Sequence, residues 1–150
     1  ENLRMGRAEA TDGELWEALR IAQAEGFVKN LPLGLEAPVA QGGTNFSGGQ
    51  RQRLAIARAL VKKAGIFIFD DSFSALDVRT DASLRKALLT SVTAPAKLII
   101  AQRVSTILDA DQILVLDQGR LVGKGTHQEL LVRCPIYRDI AKSQMQKKEA

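Results

Sequence analysis

With a single cysteine, Cys134, the chain can form no disulfide within itself and no thiolate metal cluster. That usage suits a reducing compartment, and Cys134, next to Pro135, reads as a packed or partly exposed residue and not a reactive thiol. A single histidine, His127, excludes imidazole clusters as well. Aromatic residues make up 5% of the chain, and the basic residues behind a net charge of +4 are not interleaved with them. The positive balance therefore reads as solvated helix faces, with no nucleic acid expected as a partner. No apolar run approaches the ~18 residues of a membrane span, and no signal-peptide pattern opens the chain. Any membrane role is expected to come through a partner or another segment. Also absent is G-x-x-x-x-G-K-[ST], the loop whose backbone N–H groups and lysine cradle nucleotide phosphates. What remains is 150 residues, 45% apolar and 25% charged, enough for one globular domain with a buried core.

Hydrophobic periodicity organises these residues. Residues 12–30 read as a small peripheral helical piece, with Asp12 and Gly13 at its start and Leu15, Leu19 and Ala22 on one face. Residues 31–43 carry two prolines and three glycines and read as a loop. A helix follows from Ser47, with Leu54, Ala57 and Val61 toward the core and Arg51, Arg58 and Lys62 on another side. Residues 66–69, apolar throughout, predict a strand covered on both faces, and residues 98–101 a second one. The helical pattern over 78–89 between them predicts parallel strands joined by a right-handed crossover. Residues 112–117 and 120–124, separated by Gln118-Gly119, predict a hairpin at the sheet's end. Thr126-His127-Gln128-Glu129 has capping-box spacing, which makes His127 a helix-start residue. From Pro135 a polar helix runs on and is expected to fray after Lys147.

Two segments point to phosphate chemistry. The first is Asn45-Phe46-Ser47-Gly48-Gly49-Gln50-Arg51-Gln52-Arg53, where Ser-Gly-Gly-Gln opens a helix. A helix start offers free N–H donors and a positive dipole end to an anion. Ser47 with Gln50 three residues later also forms a capping box, useful in any helix. The second is Ile66-Phe67-Ile68-Phe69-Asp70-Asp71, which ends a buried strand in two carboxylates, the hard ligands and base of magnesium-assisted phosphoryl chemistry. Together they make half of a nucleotide site.

The order of these pieces resembles the nucleotide-binding domain of ATP-binding cassette (ABC) transporters, in the exporter branch, over almost the whole chain. Residues 45–53 resemble the signature motif, with Phe46 where many members have Leu, and residues 66–71 the Walker B strand. Ser74-Ala75-Leu76-Asp77 is similar to the D-loop and Ala101-Gln102-Arg103-Val104-Ser105-Thr106 to the switch segment. Glu1-Asn2-Leu3-Arg4-Met5-Gly6 resembles the stretch just after the Q-loop. The resemblance implies an α/β P-loop NTPase fold without its N-terminal Walker A part, built as a mostly parallel sheet with flanking helices and a small helical subdomain. It divides the chain into a helical subdomain segment (1–45), the signature helix (46–64) and the remainder (65–150). It further implies ATP and Mg2+ as ligands, attached transmembrane domains at the cytoplasmic face of a membrane, and a second such domain bound head to tail. Each nucleotide would then lie between the Walker motifs of one domain and the signature of the other. By residue, Ser47, Gly48, Gly49 and Gln50 would meet the partner's nucleotide, and Asp70 would bind magnesium through water. Asp77 would serve the interface, cap the helix from Val78, or both.

Departures from the family pattern are informative. Asp71 stands where the family usually has the Glu that polarises the attacking water, and it is shorter by one methylene, roughly 1.5 Å. A general base misplaced by about that much can cost on the order of a hundredfold in rate. Gln102 replaces the family's γ-phosphate-contacting histidine, and an amide can donate a hydrogen bond but cannot titrate. Gln41 stands where exporters often carry Glu before the signature, either touching coupling helices or solvated in its loop. The resemblance places the catalytic departures, Asp71 and Gln102, in one site, whereas the signature serving the opposite site is intact. That asymmetry implies a heterodimeric multidrug or lipid exporter in which this chain carries the degenerate site. A slow homodimeric exporter, a soluble cassette ATPase acting on nucleic acid, and a purely interacting fragment are the alternatives. Asp71→Glu combined with Gln102→His is expected to raise hydrolysis at this chain's own site, and either change alone to do less. Turnover of the complete transporter, with the partner's catalytic base removed, measures this, and no gain from the pair would contradict the assignment.

Overall fold

The computed structural model describes residues 1–92 and 96–146 and separates into two units, Glu1–Ile100 and Ala101–Ala150. In the first unit, helix α1 (Asp12–Ile21) begins at Thr11, whose hydroxyl accepts the Glu14 N–H while the Glu14 carboxylate accepts the Thr11 N–H. The sequence reading started the helix at Asp12, and the cap is one residue earlier. Glu14 also pairs with Arg7 at 2.5 Å and Lys63 at 2.6 Å. These cations, Arg7 first, hold its carboxyl well below the usual carboxylate range.

The helical stretch to Asn30 is not continuous. Gln23, at φ 57°, ends the first helix, and α2 (Glu25–Lys29) follows. Nor is the piece peripheral: Leu15 and Leu19 are among the largest fully buried side chains and share one core with Ile56, Ala57, Phe67 and Leu84. Their apolar face, read as a stripe on a surface helix, packs on helix α3 (Gly48–Val61). The loop before α3 contains short 3-10 turns at Gly34–Glu36 and Gln41–Gly43. A Cβ at Gly6 would run into the carbonyl oxygen of Arg58, so the 3-10 turn Leu3–Met5 lies against α3 with no room for a side chain.

Strand β1 (Ile66–Asp70) and strand β2 (Ala96–Ile100) pair in parallel, Phe67 opposite Lys97 and Phe69 opposite Ile99, with helix α4 (Val78–Ser91) between them in sequence. The strand–helix–strand order is as expected, but β1 is not covered on both faces. Phe67 and Phe69 are buried whereas Ile66 and Ile68 are 66% and 65% exposed. Successive strand residues point to opposite faces, and the described residues supply helices to one face only. The second strand also begins and ends earlier than residues 98–101.

In the second unit, β3 (Ile113–Asp117) and β4 (Arg120–Gly125) form an antiparallel hairpin turned by Gln118 (φ 45°) and Gly119 (φ 76°), the two positive φ values a tight turn needs. Among the described residues these two strands pair only with each other, and the expected place at a sheet's end is not seen in their pairing. Helix α5 (His127–Arg133) has the expected Thr126–Glu129 capping box, and α6 (Pro135–Gln146) follows. Val104, Ile113, Val115, Leu130, Cys134 and Tyr137 form this unit's core. Cys134 is buried, the packed one of the two placements left open, and His127 sits at the first position of α5 with Nδ1 2.8 Å from the Tyr137 hydroxyl. Lys147, where fraying was expected to begin, lies outside the described residues. Among the described residues no helix is long and apolar enough to cross a membrane.

Candidate functional site

Ser47 leaves the chain extended (φ −66°, ψ 163°) and closes the capping box: the Gln50 N–H donates to Ser47 Oγ at 3.2 Å, and the Ser47 N–H to Gln50 Oε1 at 2.9 Å. The cap consumes one donor of the first turn. The N–H groups of Gly48 and Gly49 enter no hydrogen bond among the described residues, as the geometry of a helix start requires. Capping and anion binding are therefore compatible here, since they use different donors.

The arginines of the motif are structural. Arg51 donates to the Phe46 carbonyl at 2.9 Å. Arg53 donates to the Gln23 carbonyl at 2.6 Å and lies 4.9 Å over the Phe27 ring. Burial pushes its guanidinium pKa down. Gln23, at φ 57° in the break between α1 and α2, is the residue whose carbonyl gives Arg53 this partner.

Asp70 and Asp71 stand at the carboxyl end of β1, both exposed. The Asp71 N–H still donates to Ile100 at 3.1 Å, continuing the strand pairing, but its φ of 46° ends the strand. An isolated left-handed residue of this kind suits Asp better than a branched side chain. The Asp71 carbonyl then accepts from the Ser74 hydroxyl at 3.0 Å and from Gln52 Nε2 at 3.2 Å. Neither carboxylate has a hydrogen-bond or ion-pair partner among the described residues.

Gln52, which the sequence reading did not single out, joins these pieces. Its Nε2 donates to the Asp71 carbonyl and, at 3.0 Å, to Ser74 Oγ, while its Oε1 accepts the Ala75 N–H at 2.9 Å. Beside it a Cβ on Gly49 would lie 3.0 Å from the Ala75 carbonyl oxygen, and one on Gly48 3.6 Å from the Ala75 Cβ. Gly49 is thus required by the turn after β1, and Gly48 faces ordinary space. Gln52, Asp70, Asp71 and Ser72 line a cleft of about 270 Å³. The structure brings Ser47, Gly48, Gly49, Gln50, Asp70, Asp71 and Asp77 into one unit, with α3 and the 71–77 turn in contact.

Asp77 caps α4 as anticipated, accepting the Arg79 and Thr80 N–H groups at 3.1 and 2.9 Å and the Thr80 hydroxyl at 2.6 Å. The Thr80 hydroxyl, followed by the Thr80 N–H, holds its carboxyl below the usual range. Gln102 belongs to the second unit, in an exposed bend whose carbonyl accepts from Gln144 Nε2 at 2.8 Å. Gln144 Oε1 takes the Val104 N–H at 2.8 Å, so one amide brackets the segment around Gln102. Gln41 is exposed in its 3-10 turn.

Among the described residues no group of three or more His, Cys, Asp or Glu could hold a metal ion. The free Asp70 carboxylate at the end of β1 nevertheless fits Mg2+, which takes one or two carboxylates, keeps several waters and completes its shell with substrate phosphates.

The family described as ABC transporter matches residues 6–74. An uncharacterized ABC transporter ATP-binding protein of Mycobacterium bovis is 53% identical over 96% of this chain, which spans 25% of that protein. An ATP-dependent lipid A-core flippase of Chromobacterium violaceum is 45% identical over 91% of the chain and 23% of its own length. The solved structure of a bacterial Atm1-family ABC exporter with ATP bound superposes with a TM-score of 0.91 at 40% identity, covering 96% of this chain and 25% of that one. The chain thus spans about a quarter of the length of the relatives it matches.

Because the Asp77 carboxyl is held low in the folded chain, it adds stability above the ordinary Asp value, about 3.9, and loses it as pH falls through the lower folded value. Asp77→Asn keeps a capping oxygen but cannot titrate. Unfolding midpoints measured across pH should show the native chain more stable than the variant near neutrality, with the gap closing below about pH 3.9. A gap that does not change with pH would contradict this.

Proposed function

The chain belongs to the ATP-binding domains of ABC transporters, exporter type, and on that premise we propose that it is part of the ATPase motor of a heterodimeric exporter. In this reading its α3 start, Ser47-Gly48-Gly49-Gln50, acts on a nucleotide held by a second, partner domain, while its own nucleotide site is degenerate. The observation that carries the reading is the pair of unbonded N–H groups at Gly48 and Gly49, presented at a rigidly capped helix start. Nothing among the described residues receives these donors.

Within this reading each residue has a task. Gly48 and Gly49 donate to the terminal phosphate, and Ser47 holds the helix start in place. Asp70 would hold Mg2+ through water, and that ion would neutralise phosphate charge as it builds. Asp71 orients the attacking water from a carboxylate one methylene short of the usual reach, and Gln102 supplies an uncharged phosphate contact. Asp77 keeps the 74–77 turn at the face offered to the partner. Residues 1–45 form the helical subdomain segment, 46–64 the signature helix and 65–150 the remainder. Transmembrane domains attached to the chain would place it at the cytoplasmic face of the membrane, and the lipid A-core flippases among its relatives support a lipid as cargo.

Gly48→Glu puts a negative charge where a partner-bound phosphate must approach, and should lower turnover of the complete transporter by about a hundredfold or more. A Cβ at this position meets only an ordinary contact with Ala75, so the first carbon of the new side chain is accommodated. Asp70→Asn should slow the cycle only moderately, because it disables the weak site. ATPase rates with the same partner decide the matter. An inactive Asp70 variant beside a normal Gly48 variant would reverse the assignment of the two sites.

A further inference from the structure

The Gln52 amide is the one side chain of α3 whose recorded hydrogen bonds all go to the turn after β1. Its orientation is fixed by its partners: the Asp71 carbonyl can only accept and the Ala75 N–H can only donate, so Nε2 must face Asp71 and Oε1 must face Ala75. Three hydrogen bonds on one half-buried side chain, spanning both sides of the Asp71–Ala75 turn, are more than holding a helix requires. α3 already packs through Ile56, Ala57, Leu60 and Val61 and is tied to the α1–α2 break by Arg53.

We propose that Gln52 is a positioning residue that fixes the Asp71 turn and the Ser47-Gly48-Gly49 helix start as one rigid piece. The proposal rests on the functional reading above, in which those two elements serve different nucleotides. A shift of the helix start against a partner-bound phosphate is then transmitted to the carbonyl of Asp71, and so to the placement of its carboxylate. The two arms of the amide are separable. Gln52→Glu keeps an acceptor for the Ala75 N–H but turns a second oxygen toward the Asp71 carbonyl, which repels it. Gln52→Met has nearly the same volume and helix preference and keeps neither bond.

The test uses the complete transporter, with a Gly48→Glu transporter run in parallel. Amide hydrogen exchange is read at Ala75, whose N–H has Gln52 as its recorded partner. Single-site turnover is measured twice, once with the partner's catalytic base removed and once with this chain's Asp71 replaced by Asn. We expect Gln52→Met to exchange faster at Ala75 and to lose about tenfold to a hundredfold in kcat at both sites, since misplacement by about 1 Å costs that much. KM for ATP should stay within about twofold, and the thermal midpoint should stay near that of the unaltered transporter. Gln52→Glu should retain protection at Ala75 yet lose kcat at this chain's own site. Unchanged kcat at both sites in Gln52→Met, with the Gly48→Glu control inactive, would overturn the positioning role and leave the functional reading standing. A rise in KM with a fall in thermal midpoint and unchanged kcat would also overturn it, since packing alone predicts that. A fully active Gly48→Glu control would remove the functional reading and this proposal together.

Discussion

Close approach between the start of α3 and the turn after β1 is the constraint on which the rest of the first unit depends. A Cβ at Gly49 would sit only 3.0 Å from the Ala75 carbonyl oxygen, so the two backbones meet where any side chain would force one of them to give way by a few tenths of an ångström. Gln52 then fastens what glycine allows to approach. Everything else follows in sequence: the capped start leaves N–H groups without an acceptor among the described residues, the turn offers Asp70 and Asp71, and Asp77 carries the chain from the turn into α4. The core beneath, with Leu19 and Leu84 fully buried, is the platform that keeps β1 and α3 from sliding.

The devices written within a few residues were legible in the sequence. The Ser47–Gln50 and Thr126–Glu129 capping boxes, the Asp77 cap and the Gln118-Gly119 turn each have their partners inside one turn of chain, and all form as read. The parallel pairing of β1 and β2 was legible too, because a helix-length pattern between two apolar runs leaves little else. The Thr126–Glu129 spacing likewise made His127 legible as a helix-start residue.

Contacts between distant residues were not legible. Gln52 reaches partners 19 to 23 residues away, and Gln144 brackets the Gln102 segment from 40 and 42 residues away. A half-buried glutamine on a helix carries no pattern that announces such a partner. The end of α1 at Gln23 was missed because the apolar spacing continues across it, and periodicity sees side chains, not the φ of one residue. The all-apolar run in β1 predicted cover on both faces, yet Ile66 and Ile68 are exposed, because that pattern states what a strand can bury and not what lies over it.

The central claim is that the α3 start completes a nucleotide site whose phosphate cradle this chain does not itself carry. Calorimetric titration of the chain with Mg-ATP, after circular dichroism has shown the expected helix and strand content, tests that claim most directly. The account predicts no appreciable binding, since free N–H groups at one helix start and two exposed carboxylates do not replace a phosphate loop and its lysine. Saturable binding in the micromolar range by the monomeric chain would contradict it.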